Sequence, residues 1–154
     1  MKFVLSLLVV GALAFGSSTN ASALENAPGK VWGIGAAAGQ SFGAYAFYAV
    51  SSTLHIGSGV GIQLHENANV FMLSPYAKFL FPSASGYYPF IYAQLGLQFG
   101  DASATALGIG GGMQAWVDKS VSVWASLGLL DIGFDPSYTI FGLVNPRVGV
   151  EFIP

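Results

Sequence analysis

Residues 120–130 read Ser-Val-Ser-Val-Trp-Ala-Ser-Leu-Gly-Leu-Leu, and this segment decides the fold class of the chain. Apolar residues stand at every second position from Val121 to Leu129, and the positions between them hold serine, glycine and Trp124. Successive side chains of a β-strand point to opposite faces, whereas those of a helix repeat about every 3.6 residues. The period of two therefore predicts a strand with one apolar face.

Similar alternation recurs along the chain. Its clearest runs are residues 54–64, 71–81, 90–99, 107–117 and 144–152, and two alanine-rich runs, 32–38 and 42–50, are predicted strands whose phase stays open. Turn-forming residues separate the runs at seven places, namely 39–41, 51–53, 65–67, 82–86, 100–105, 118–119 and 131–137. Seven breaks give eight strands with short connections, which predicts a closed, up-and-down antiparallel β-barrel.

The scarcity of charge indicates which face of the barrel is outside. Charged residues make up 8% of the 154 residues, against roughly 25% in an ordinary soluble domain. The apolar rows contain no charge, and the polar rows contain Lys78, Arg147 and Glu151. A charge near the midplane of a bilayer costs roughly 2–4 kcal/mol. The apolar rows are therefore predicted to face lipid and the polar rows a narrow lumen, which argues against a soluble, lipocalin-like barrel.

The first 23 residues are predicted to be a cleaved secretory signal peptide, and residues 24–154 the barrel domain. Lys2 supplies the positive charge, residues 3–15 are apolar apart from one serine, and Ala21 and Ala23 are the small residues that a signal peptidase reads. This apolar run of about 13 residues is too short for a spanning helix, which needs roughly 20. Export of a chain without cysteine favours a bacterial envelope.

The composition argues against several kinds of chemistry. A net charge of -2 offers no basic surface to nucleic acid, and the absence of cysteine removes thiolate metal sites and cysteine nucleophiles. The two histidines, His55 and His65, are too few for a metal site. The glycine-rich segments 57–61 and 108–112 lack the Lys-Ser/Thr ending of a phosphate-binding loop. The sequence therefore predicts no cofactor, no metal and no catalytic residue.

The inward charges form the candidate site. Arg147 and Glu151 lie four residues apart on the last predicted strand and hence on one face, about 13 Å apart. Lys78 lies on the fourth predicted strand, across the lumen from the eighth. A structural network centred on Glu151 is predicted to keep these buried charges paired. The alternative interpretation is a gate or a proton path.

The remaining inward positions are predicted to fill the lumen. Eight strands leave an interior just wide enough for side chains to occupy, and inward glycines make room there for Tyr76, Tyr92, Trp116 and Trp124. A conducting pore is therefore not the first expectation. Aromatic residues near the strand ends are candidates for interfacial girdles: Trp32, Tyr48, Phe71, Phe81, Tyr88, Phe99 and Phe152.

Four stretches resemble the small outer-membrane β-barrel family that includes the opacity-type and outer membrane protein X-like proteins and the porin-like "outer membrane protein β-barrel domain" group. They are residues 73–81 (LSPYAKFLF), 88–96 (YPFIYAQLG), 110–119 (GGGMQAWVDK) and 148–152 (VGVEF). The resemblance implies a Gram-negative outer membrane, passage through the periplasm and insertion by the barrel-assembly machinery. Chains of this family usually stop at a terminal aromatic residue, whereas Ile153 and Pro154 follow Phe152 here.

The predicted function is that of a small monomeric outer-membrane barrel of structural or surface-interaction type, without catalysis. Its predicted partners are outer-membrane lipid and lipopolysaccharide. One alternative is a narrow channel or porin-like permeation protein. Another is a lipid-A-modifying barrel enzyme, for which His65 beside Glu66 is the candidate. The connections predicted to face the outside, around Gln40 and Glu66 and at 100–105 and 131–137, are short and mildly acidic, so they offer an adhesin little area.

Overall fold

The computed structural model describes residues 31–39, 42–65, 68–100, 103–135 and 137–154. The predicted signal peptide, residues 1–23, lies outside the described residues, so the predicted domain boundary at residue 24 stays a prediction. Within these ranges, no helix has the length and apolar character needed to cross a membrane.

Eight antiparallel strands form one closed sheet. They are β1 (Val31–Ala38), β2 (Phe42–Ala49), β3 (Leu54–His65), β4 (Ala68–Leu80), β5 (Tyr87–Gly100), β6 (Ala104–Trp116), β7 (Val121–Asp135) and β8 (Ser137–Phe152). Each strand pairs with the next, and β8 pairs back with β1 between Ile34↔Phe152 and Ala38↔Val148, which closes the barrel. The predicted all-β, eight-stranded, up-and-down antiparallel barrel is confirmed.

The outer wall of the barrel is apolar. Large hydrophobic side chains are exposed on β1 and on β3 to β8, among them Trp32, Ile34, Ile56, Val60, Ile62, Phe71, Phe79, Ile91, Phe99, Ile109, Met113, Leu127, Leu129, Val150 and Phe152. Within the strands, every charged residue whose side chain is described belongs to an inward row. The two other charged residues that the structure describes, Asp118 and Lys119, lie in the connection after β6. The alternation in the sequence is thus an alternation between the outer wall and the lumen.

The structure resolves the phase of β1 and β2. Trp32 is 67% exposed and Ile34 is 61% exposed, so the even positions of β1 face outward. On β2, Phe47 is completely buried and pairs with Gly57 of β3. The alternate residue Tyr45 therefore also faces the lumen. Alanine fits either wall, so the sequence of these strands left their phase open, and pairing with β3 and β8 decides it.

The sequence predicted a connection between two strands at residues 131–137, and this prediction is wrong for most of these residues. β7 continues to Asp135 and β8 begins at Ser137. The β7–β8 register shifts between Ser126/Gly128 and between Gly128/Leu130, and β8 contains the positive-φ residues Gly142 and Asn145. A β-bulge adds a residue to one strand and interrupts the period of two without ending the strand. The alternation therefore lapses here although the pairing continues.

The two ends of the barrel differ in the lumen. We call the end with connections 50–53, 81–86 and 117–120 the turn end, and the opposite end the loop end. A buried apolar cluster occupies the lumen at the turn end: Phe47, Leu80, Tyr88, Phe90, Trp116 and Ile153. Tyr88 was predicted on an outer girdle, and this is wrong, because it shares the inward row of β5 with Phe90. Ile153, beyond the closing Phe152, is buried here too, and its N–H donates to Ser120 O at 2.8 Å.

Candidate functional site

The centre of the lumen holds a buried ion pair. Lys78 on β4 and Glu151 on β8 face each other across the barrel, and their side chains are 5% and 1% exposed. The strands that carry them lie four places apart in the ring. Removing two charges from water carries a large desolvation penalty, which close pairing and further hydrogen bonds offset. The structure thus brings together two of the three charged residues that the sequence singled out.

Gln114 on β6 completes the hydrogen bonding of this pair. Its Oε1 accepts a hydrogen bond from Lys78 Nζ at 2.9 Å, and its Nε2 donates to Glu151 Oε2 at 3.0 Å. The same Nε2 donates to Ser122 Oγ on β7 at 2.8 Å. Gln114 and Ser122 are both completely buried. The sequence placed Gln114 in the inward row of its strand, but alternation does not show that it contacts both charges.

A second connection to Glu151 comes from two aromatic side chains. Tyr45 Oη donates to Glu151 Oε1 at 3.3 Å and accepts a hydrogen bond from Trp124 Nε1 at 2.7 Å. Glu151 therefore has partners on β2, β4 and β6, and on β7, where Ser122 Oγ donates to Glu151 Oε2 at 3.5 Å. Sequence reasoning missed Tyr45 because the phase of β2 was open. We call Tyr45, Lys78, Gln114, Ser122, Trp124 and Glu151 the central network.

Arg147, the third predicted member, is not brought into the central network. It donates to Gln94 Oε1 on β5. Arg147 and Glu151 share a face of β8, but Gly149 lies between them, and a Cβ built at Gly149 would lie 2.4 Å from Trp124 Cζ2. The indole ring thus occupies the space above Gly149 and separates the guanidinium from the carboxylate. The predicted network of three charges is therefore corrected to a pair, with Arg147 held on the loop-end side.

Inward glycines make room for aromatic rings on the neighbouring strands. The closest ring atom to a Cβ built at each glycine lies well inside contact distance for Gly33 with Phe47 (2.2 Å), Gly35 with Tyr45 (2.3 Å), Gly57 with Tyr76 (2.9 Å), Gly110 with Tyr92 (2.6 Å) and Gly112 with Phe90 (2.7 Å). The expectation that glycines accommodate inward Tyr76, Tyr92 and Trp124 is confirmed at these contacts and at Gly149. Glycine and aromatic residue act as one packing unit across the pair of strands.

A cavity of about 120 Å³ lies between the central network and the loop end. Its lining includes the rings of Tyr45, Tyr76, Tyr92 and Trp124, the guanidinium of Arg147, and glycine and small residues of β2 and β3. Tyr76 Oη is buried and has no hydrogen-bond partner among the described residues. The cavity therefore combines flat apolar walls with a few polar groups, which is the usual make-up of a small-molecule pocket.

Of the two histidines, the structure describes the side chain of His55 and not that of His65. His55 is 3% exposed, and its ring stacks on Phe47 with centroids 5.1 Å apart and planes 14° apart. Its Nδ1 has no hydrogen-bond partner within the described part of the chain. His65 is the last residue of β3, but its side chain is outside what is described, as is neighbouring Glu66. Across the described ranges, no three His, Cys, Asp or Glu residues converge to hold a metal.

Comparison with known proteins identifies the fold. No family model matches the chain, and no curated protein is significantly similar to it. A solved structure, the N-terminal beta-barrel domain of Pseudomonas aeruginosa OprF, matches with a TM-score of 0.66 over 82% of this chain and 98% of that domain, at 18% sequence identity. At this identity the likeness concerns the fold alone. The chain has the fold of a small eight-stranded barrel like the one at the N-terminus of OprF.

Proposed function

We propose that this chain is a small, monomeric, integral outer-membrane barrel of structural or surface-interaction type that performs no catalysis. The observation that carries the proposal is the outer wall, where large apolar side chains are exposed on seven of the eight strands among the described residues, and Val50 is exposed directly after β2. Water would make such a surface an aggregation hazard, whereas lipid is its natural environment. Because β8 pairs with β1, the closed sheet has no free edge along that pairing. The backbone groups of the barrel strands therefore bond to one another and do not need hydrogen bonds that lipid cannot supply.

The distribution of charge supports the same environment. Lys78 and Glu151 are buried in the lumen, and Arg147 points into the cavity above them. The outer wall could therefore contact the acyl chains without bringing a charge into them. The likeness in fold to the barrel of OprF adds support for a bacterial outer membrane as the location. Outer-membrane lipid and lipopolysaccharide are the proposed partners, and the barrel-assembly machinery is the proposed means of insertion.

The packing of the lumen favours a structural role over a porin-like one. The central network and the apolar cluster pack against each other, with Lys78 Nζ 6.0 Å from the centroid of the Phe47 ring and 5.4 Å from that of Phe90. Phe47, Leu80, Gln114 and Glu151 are essentially inaccessible to solvent. A continuous water path would have to pass between these close-packed side chains. We therefore expect purified protein to give no stepwise conductance in planar bilayers, and regular conductance steps would favour the channel alternative.

The lipid exposure of the outer wall is tested by arginine substitutions at two heights. Ile109 lies in the middle of β6 and is 38% exposed, whereas Val117 follows the turn-end terminus of that strand and is 54% exposed. Ile109→Arg should lower the free energy of unfolding from lipid vesicles by about 2–4 kcal/mol, and Val117→Arg by about 0–1 kcal/mol. The difference arises because an arginine near the interface reaches the headgroups and one at the midplane does not.

Urea titrations of the refolded protein in phosphatidylcholine vesicles, followed by tryptophan fluorescence, would measure both variants. Ile109→Leu serves as the control for a change of shape without charge. Equal effects of the two arginine variants would contradict a membrane-spanning wall. A second readout is gel migration: a folded membrane barrel should migrate differently before and after boiling, and full solubility without detergent would also contradict the proposal.

The absence of catalysis is tested separately from the membrane location. The lipid A of a deletion strain and of a strain expressing His65→Ala should be identical to that of the parent strain by mass spectrometry. A change of acyl-chain number or of headgroup in either strain would instead support the lipid-A-modifying alternative.

Amino-terminal sequencing of the mature protein should begin at Leu24 if the predicted signal peptide is removed.

A further inference from the structure

The cavity on the loop-end side is lined by a cation that has no ion-pair partner among the described residues. Of the charged residues that line it, Lys78 and Glu151 neutralise each other in the ion pair. Arg147 remains, and no carboxylate of the described residues forms an ion pair with it. A guanidinium carries five N–H donors, and the partner that the structure gives Arg147 is the amide oxygen of Gln94. The cavity therefore presents a cation with donors left for a ligand.

Asp131, the nearby inward acid of β7, is engaged above the cavity. Its Oδ1 accepts a hydrogen bond from Tyr138 Oη at 3.3 Å, and its Oδ2 accepts one from Asn145 Nδ2 at 3.2 Å. Asp131 is not part of the cavity lining. Both of its oxygens accept hydrogen bonds from β8, and Asp131 forms no ion pair with Arg147 among the described residues.

A second polar group in the cavity points to the same ligand chemistry. Tyr76 Oη is buried without a hydrogen-bond partner among the described residues. Tyr76 is the direct cross-strand partner of Gln94, whose amide holds Arg147. Tyr76 and Arg147 both line the cavity, and the ring of Tyr76 packs over Gly57 of β3. Buried polar groups usually have partners, and an acceptor oxygen of a ligand would supply the one that Tyr76 lacks.

The shape of the cavity limits the size and character of the ligand. One water needs about 10–15 Å³ of such volume, so a cavity of about 120 Å³ accommodates a molecule of several heavy atoms. The rings of Tyr92 and Trp124 form part of its wall. Gly59 contributes open space, since a Cβ built there meets nothing closer than 3.5 Å.

We propose that the loop-end cavity is a binding site for a small aromatic carboxylate. The carboxylate accepts hydrogen bonds from the Arg147 guanidinium and the Tyr76 hydroxyl, and the aromatic body packs against the rings that line the lumen. The central network forms the floor of the site. This binding activity goes beyond the proposed structural function and does not require a conducting lumen.

Benzoate is the probe for this site, titrated by isothermal calorimetry or by NMR into the refolded full chain in detergent micelles. We expect saturable binding that weakens at least about tenfold in Arg147→Gln, since a hydrogen bond to a charged group is worth about that much. Tyr76→Phe removes one hydroxyl and should weaken binding several-fold. Benzamide, which has the same ring without the charge, should bind at least about tenfold more weakly than benzoate.

A pair of leucine variants separates the cavity from the outer surface. Gly59→Leu places a side chain in the cavity and should abolish benzoate binding, whereas Ser58→Leu adds the same bulk on the exposed outer wall of β3 and should leave it unchanged. Heat-dependent gel migration shows whether each variant is folded. Should Gly59→Leu fail to fold, Arg147→Gln and benzamide still decide the question.

Three results would overturn the proposal: no binding of benzoate to the folded wild-type chain at millimolar concentration, equal binding of benzoate and benzamide, or unchanged binding in folded Arg147→Gln. Each of these can occur in a chain that still inserts into vesicles and still shows the effects of Ile109→Arg and Val117→Arg. Failure of the binding site is therefore distinguishable from failure of the proposed membrane function.

Discussion

The two ends of the lumen are built from the same kinds of residue but are packed differently. At the turn end, glycines lie directly under aromatic rings: a Cβ built at Gly112 would lie 2.7 Å from Phe90 Cζ and 2.1 Å from the backbone oxygen of Ala125. At the loop end, a Cβ built at Gly96 would meet nothing nearer than the backbone oxygen of Ala106, at 3.7 Å. Glycine thus makes room for a ring at Gly112, whereas at Gly96 an added Cβ would make a single ordinary van der Waals contact.

In this narrow barrel, the residues that stabilise the fold and the residues of the proposed binding site lie in different parts of the lumen. The turn end holds the apolar cluster, and the ion pair lies next to it at the centre of the lumen, so these side chains are fixed by close packing and by hydrogen bonds from several strands. The loop end has a cavity, a guanidinium and a tyrosine hydroxyl that the described residues do not satisfy. Substitutions at the turn end should therefore act on stability, and equivalent substitutions at the loop end should have small effects on stability.

The largest expected effect is that of Glu151→Gln. It leaves the Lys78 ammonium buried without its counter-charge, and loss of one partner of a buried pair lowers the free energy of unfolding by about 3–5 kcal/mol. Urea titration in vesicles would measure this change. Arg147→Gln removes a charge at the loop end. It should lower the free energy of unfolding by at least about 2 kcal/mol less than Glu151→Gln does, since Arg147 is not held in an ion pair by the described residues.

A double variant, Lys78→Met with Glu151→Gln, tests whether the uncompensated charge causes the loss. With both charges removed, stability should return to within about 1–2 kcal/mol of the wild type, because no charge is then left buried without its partner. A double variant as unstable as Glu151→Gln alone would show that shape, and not charge, is what the pair contributes.

The glycines give the next largest effect. Gly112→Ala places a Cβ against a backbone oxygen that cannot move without disturbing β7, and overpacking of this kind costs about 1–3 kcal/mol. Gly96→Ala meets open space in a backbone conformation that other residues adopt, so it should be neutral or stabilise the protein by about 0.4–1 kcal/mol. The same titrations measure both variants. Equal destabilisation at the two positions would refute the difference in packing between the two ends.

The smallest expected effect distinguishes two inward tyrosines. Tyr45→Phe removes the acceptor of Trp124 Nε1 and a donor to Glu151, and should cost about 1 kcal/mol, the usual net worth of a hydrogen bond. Tyr76→Phe removes a hydroxyl without a described partner and should not lower stability at all. A clear loss in Tyr76→Phe would reveal a partner for its hydroxyl and would weaken the case for the binding site.

Much of the wall of the barrel could be predicted from the sequence, because the direction of a side chain in a strand is a local property. Lys78, Arg147 and Glu151 were assigned to the lumen from the alternation on their own strands, and the structure places all three there. The prediction failed where the local period lapses. Bulges carry β7 and β8 through residues 131–137, and Asp131 is therefore a strand residue held by Tyr138 and Asn145 and not part of a loop.

Contacts across the lumen were less predictable than positions on the wall. Lys78 and Glu151 were expected to meet because the fourth and eighth strands lie opposite each other in a ring of eight. Gln114 escaped notice because it carries no charge, Tyr45 escaped notice because the phase of β2 was open, and Arg147 was assigned to the wrong partner. The ring of Trp124 lies above Gly149 and separates Arg147 from Glu151. The alternation along the sequence does not specify where a side chain from β7 lies relative to β8.

The amino-acid sequence by itself determined the number of strands, their antiparallel order and the faces of six of them, because alternation and turn residues act over neighbouring positions along the chain. Only the tertiary structure decided the phase of β1 and β2, the closure of the lumen at the turn end and the cavity at the loop end. These features depend on the stagger between strands in the closed ring, which sets the height at which inward side chains from opposite walls meet.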